Sequence, residues 1–99
     1  MKDEEEIFDY AVVGGGAHGL SAAYYLSKKA GKVALFEQFN IGHNNGSSHG
    51  STRISRSVYE NKVYTELNRL CLNENWKEME KVLGEQLLHP SPFIYFDSV

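Results

Sequence analysis

Apolar residues along the chain fall into short runs separated by glycines and polar stretches. Phe8 to Val13 reads as a strand, with Ala11, Val12 and Val13 as a buried apolar run that Gly14, Gly15 and Gly16 end. Ala17 to about Ala30 is rich in Ala, Leu and Tyr and predicts a helix, with Gly31 as its stop. Lys32 to Glu37, carried by Val33, Ala34, Leu35 and Phe36, predicts a second strand. Residues 38 to 52 hold Gly42, Gly46 and Gly50 among Asn and Ser, all turn formers, and read as a loop. Arg53 to Tyr59 fits either a short helix or an irregular segment.

From Lys62 to Leu83 the spacing predicts one long amphipathic helix. Val63, Leu67, Leu70 and Cys71 form its i, i+4, i+7, i+8 stripe, continued less regularly by Met79, Val82 and Leu83, with Gly84 as the stop. Pro90 and Pro92 mark a turn, and Phe93 to Phe96 reads as the start of a further strand. Two strands flanking a helix make a βαβ unit whose strands pair in parallel. A two-stranded parallel sheet is marginal alone, because its edges and faces need cover. The expected fold is α/β and incomplete.

Composition narrows the class. A hydrophobic fraction of 41% argues against disorder. Asp3, Glu4, Glu5 and Glu6 concentrate the acidity in a solvated tail over residues 1–7, ahead of domain sequence over 8–99. No basic stripe appears, so nucleic acid is not an expected partner. No apolar run approaches a membrane span, and no secretory or removable leader is read. Cys71, the single cysteine, makes no internal disulfide and reads as a core thiol in a reducing compartment. The four histidines show no metal-ligand spacing with it, so no metal is expected.

Gly14-Gly15-Gly16-Ala17-His18-Gly19 is G-x-G-x-x-G. Alone it is weak. Here it follows a predicted strand and opens a predicted helix, and Glu37 ends the next strand near the spacing of about 20 that a dinucleotide fingerprint requires. Gly14 permits the tight turn, Gly16 lets backbone approach a pyrophosphate, and Gly19 lets the helix pack close to the strand. The helix N-terminus directs N–H groups at phosphates. Glu37 can accept from an adenosine ribose, and its charge disfavours a 2′-phosphate. The fingerprint leaves FAD and NAD both open.

The stretch Asn45-Gly46-Ser47-Ser48-His49-Gly50-Ser51-Thr52-Arg53-Ile54-Ser55-Arg56 is polar and carries His and two Arg. On a helical turn Arg53 and Arg56 would share a face, and paired guanidinium groups suit a carboxylate. This stretch resembles the segment after the second strand in monomeric sarcosine oxidases and peroxisomal sarcosine/pipecolate oxidases. Glu37-Gln38-Phe39, Tyr59 and the long helix with Trp76 fit the same pattern, over about Phe8 to Phe96.

The resemblance implies a Rossmann-type βαβ FAD-binding unit, the N-terminal portion of a two-domain flavin oxidase. It implies FAD as cofactor and oxidation of a secondary amino acid to an imine, with O2 reduced to H2O2. It further implies a monomer at full length, in peroxisome or cytoplasm. Cofactor contact then falls to Gly14, Gly16, Ala17, His18, Gly19, Glu37, Gln38, Ser47, Ser48, His49, Thr52, Arg53 and Ile54. His49 and Arg53 match positions beside the isoalloxazine ring, and Arg56 matches the arginine that binds the substrate carboxylate.

The chain departs from the pattern at Ser55, where an apolar residue is usual, and at Ser91-Pro92 and Asp97, where Thr-Gly and Gly are common. Cys71 does not match the cysteine that holds flavin covalently. The substrate domain would lie beyond residue 99, so the 99-residue chain alone is expected to show no turnover. Two other readings stand beside this one: a catalytically inactive truncated isoform or degenerate copy, and an NAD-binding module.

Overall fold

The computed structural model describes residues 4–29 and 31–96. The chain divides into two compact units, one reaching Thr52 and one starting at Arg53. Of the acidic tail, Glu4 to Glu6 are exposed, while Asp3 lies outside the described residues.

In the first unit, strand β1 (Tyr10–Val13), helix α1 (Ala17–Lys29) and strand β2 (Val33–Phe36) follow in order. The strands pair in parallel, with Tyr10 opposite Val33 and Val13 opposite Phe36. Backbone bonds carry the pairing one step past each end. Asp9 N–H donates to Lys32 O at 2.9 Å, and Gly14 N–H donates to Phe36 O at 2.7 Å. Asp9 also accepts Lys32 N–H at 2.8 Å through Oδ2, which fixes the entry into β2.

Both strands are shorter than the expected Phe8–Val13 and Lys32–Glu37, and the expected end of α1 at Ala30 lies outside the described residues. Helix α1 packs on both strands. The expected buried run is not realised. Ala11 and Val13 are exposed and Val12 is half-buried, because the described residues cover the sheet only where α1 lies. No hydrophobic residue among the described ones is fully buried.

In the second unit, residues 53–59 are irregular, so Arg53 and Arg56 do not share a helical turn. Helix α2 (Lys62–Leu70) begins at Asn61, whose Oδ1 accepts Val63 N–H at 2.9 Å. The expected single helix is interrupted by a π-helical turn at Cys71–Asn75 and resumes as α3 (Trp76–Leu83). Gly84 ends it at φ +71°, a left-handed conformation that favours glycine.

The irregular segment is tied to α2. Thr65 Oγ1 accepts Tyr59 N–H at 3.0 Å and donates to Tyr59 O at 3.1 Å. One turn on, Asn68 accepts from Ser55 Oγ at 3.1 Å and donates to Arg56 O. The α2 stripe is not a core either. Val63, Leu67 and Leu70 are exposed and Cys71 is half-buried. Phe93 to Phe96 forms no strand, since no neighbouring strand among the described residues offers it a ladder.

Candidate functional site

The turn between β1 and α1 is shaped by what its glycines lack. Gly14 has φ +103°, a conformation that L side chains rarely adopt. A Cβ on Gly19 would stand 1.7 Å from Gly14 O, so a side chain there cannot coexist with this helix-to-strand distance. Gly16 carries the carbonyl that accepts the first helical bond, from Leu20 N–H at 2.9 Å. It therefore stands where a capping side chain would be, and has none. Ser48 supplies the missing hydroxyl from the loop, its Oγ accepting Ala17 N–H at 2.9 Å.

Glu37 closes the other side of the turn. Its Oε2 accepts Gly15 N–H at 2.7 Å, and its Oε1 accepts Phe39 N–H at 3.1 Å. His43 Nε2 lies 3.1 Å from the same Oε1. These bonds, led by the one from Gly15 N–H, hold the Glu37 carboxyl below the usual carboxylate range, and partial burial opposes them. Gly15 is the one buried residue among those described.

Together these groups line a cleft of ≈ 690 Å³. Gly14, Gly16, Ala17, Glu37, Gln38, Ser47 and Ser48 all face it, as do Phe39, Ile41 and His43. His18, Gly19, His49 and Thr52 do not line it. Gly19 acts through packing. His18 is exposed on the first turn of α1, and His49 Nδ1 lies 2.6 Å from Gly46 O within its own loop. Arg53, Ile54 and Arg56 belong to the second unit. There Ile54 is exposed, and the Arg56 guanidinium lies over the rings of Tyr59 and Phe93 at 5.3 and 5.7 Å.

The sequence pattern did not single out His43, nor Ser48 as a helix cap. Neither bond follows a period or a spacing rule. Among the described residues no three His, Cys, Asp or Glu could hold a metal ion, and no helix is long and apolar enough to cross a membrane.

A strand–glycine turn–helix with an acidic residue just past the next parallel strand is the arrangement that a dinucleotide fingerprint requires. The family described as FAD dependent oxidoreductase matches residues 9–97, and the chain belongs to it. It is 38% identical over 87 residues to the peroxisomal sarcosine oxidase of Mus musculus, covering 88% of this chain and 22% of that protein. It is 45% identical over 90 residues to the monomeric sarcosine oxidase of Arthrobacter sp. (strain TE1826), covering 90% of this chain and 23% of that protein. The human peroxisomal sarcosine oxidase is 37% identical over 87 residues, at 88% and 22% coverage. The chain thus spans about a fifth of the length of these relatives. No solved structure matches.

The family's cofactor is FAD, and the residues present fit it. The turn has no side chain at Gly14, Gly16 or Gly19, it leads into the N-terminus of α1, and a carboxylate stands at the end of β2.

Proposed function

We propose that this chain is the N-terminal part of a flavin-dependent oxidase, and that its first unit is the Rossmann-type half-site for the ADP portion of FAD. The observation that carries the reading is the joint match to an FAD-dependent family over 9–97 and to sarcosine oxidases over 88–90% of the chain. The reaction is oxidation of a secondary amino acid such as sarcosine or pipecolate. The substrate C–H and N–H give up two electrons and two protons, leaving an imine, and O2 takes them up as H2O2. Bound FAD supplies the redox chemistry, and the protein binds and orients it.

In this reading Gly14, Gly16, Ala17 and Gly19 bring the start of α1 against the pyrophosphate, with His18 beside them. Glu37 and Gln38 take the adenosine side. Ser47 and Ser48 sit over the glycine turn, where the Ser48 hydroxyl already reaches Ala17 N–H. His49, Thr52, Arg53 and Ile54 continue along the flavin, with His49 and Arg53 beside the reacting ring. Arg56 grips the substrate carboxylate, and the Tyr59 and Phe93 rings hold its guanidinium plane. The mouse and human relatives named peroxisomal support the peroxisome, and the cytoplasm is the other compartment. The relative named monomeric supports a monomer at full length.

The test is the visible absorption spectrum of the protein purified from its natural source, on a sample of known intact mass. A flavin spectrum on a chain much longer than 99 residues supports the proposal. A colourless mature chain ending at Val99 overturns it and leaves a non-catalytic product.

A further inference from the structure

The fingerprint carboxylate is held by a histidine that belongs to none of the motifs. His43 Nδ1 accepts Asn45 N–H at 2.9 Å, so that nitrogen carries no proton and the neutral ring has its one N–H at Nε2. Nε2 lies 3.1 Å from Glu37 Oε1 and therefore donates to it. The ring is fixed on its face as well, edge-on to Phe39 with centroids 4.8 Å apart. The two side chains are only 20% (His43) and 11% (Glu37) exposed, so water does not replace this contact cheaply.

A carboxylate has about four acceptor positions. On Glu37, Phe39 N–H and His43 Nε2–H take two at Oε1, and Gly15 N–H takes one at Oε2. The remaining capacity is on Oε2, the oxygen beside the glycine turn. We propose that His43 is a positioning residue for the cofactor. By occupying Oε1 it locks the carboxylate so that Oε2 meets a hydroxyl of the adenosine ribose. The role rests on the FAD reading above, and it adds a residue through which that site selects its ligand. Locking a rotamer-rich Glu before binding removes an ordering cost from the binding step.

The experiment uses the protein at its full natural length, made free of flavin in a riboflavin-starved host. FAD is titrated by flavin fluorescence, beside an FAD analogue that lacks both adenosine-ribose hydroxyls. His43→Leu keeps bulk and removes the donor. His43→Gln keeps an N–H near the position of Nε2. His43→Leu should weaken FAD about tenfold and His43→Gln less than threefold, each titrated well below that variant's own melting temperature. The analogue should bind wild type and His43→Leu equally, and His43→Leu should have no effect in a Glu37→Gln background. Equal loss in both His43 variants, or the same loss with the analogue, overturns the positioning role while leaving the FAD reading intact. Wild-type protein that binds no FAD overturns the FAD reading, and the role of His43 with it.

Discussion

At Gly19 the absence of one methyl group sets the distance between α1 and the turn that follows β1. The group a Cβ would strike is a backbone carbonyl at 1.7 Å, which cannot swing away as a side chain would. Gly19→Ala should therefore destabilise the first unit by about 3 kcal/mol. Gly14→Ala has open space, with nothing within 4 Å, and meets only the cost of φ +103°. Its loss should be smaller, about 1–2 kcal/mol. Thermal unfolding of the two variants in the full-length protein checks the order, and an equal or reversed loss would contradict the carbonyl contact. Glu37 adds a pH dependence. Its carboxyl titrates lower when folded, chiefly through Gly15 N–H, so its contribution is complete above about pH 4.5. That contribution fades as pH falls through the lowered folded value. Carboxylate NMR of Glu37 should show the depressed midpoint, and His43→Leu should move it back upward.

Among the elements, local rules read well where a single residue type decides. Gly31 and Gly84 stand where a helix was expected to stop, and Gly84 is left-handed at φ +71°. The parallel pair of β1 and β2 around α1 follows from two apolar runs separated by a helix-length segment. What stayed hidden depends on partners far along the chain. Periodicity cannot reveal one extra residue in a turn, so the spacing predicts regular helix through the π-helical interruption at Cys71–Asn75. The segment Phe93–Phe96 has strand composition but, among the described residues, no strand to pair with. The same holds past α3, where Glu80 Oε1 accepts both Leu87 and Leu88 N–H at 2.8 Å, a cap reaching seven and eight residues forward. These two bonds hold the Glu80 carboxyl below its usual range. Glu80→Ala should speed amide hydrogen exchange at Leu87 and Leu88 by about tenfold. Exchange at Val63, capped by Asn61 at the start of α2, should not change.

For the whole molecule, surface area sets the strongest expectation. The chain exposes 9017 Å². Two independent compact units sharing its 11.2 kDa would expose roughly 6,900 Å² by the scaling for folded monomers. Large apolar side chains stay uncovered, among them Val13 at 86% and Phe36 at 59%, one at the end of each strand. Both outer edges of the two-stranded sheet also carry backbone groups that no described strand pairs. Hydrophobic burial is the main term that offsets chain entropy, and here it is small. The isolated 99-residue chain should therefore bind an apolar dye, associate in a concentration-dependent way and melt without a sharp transition. Calorimetry with sedimentation at several concentrations checks this. A sharp, concentration-independent transition would mean that the β1–α1–β2 unit is stable without further cover. FAD could then be titrated on it directly, and the Gly19 and Glu37 predictions could be measured on the 99-residue chain itself.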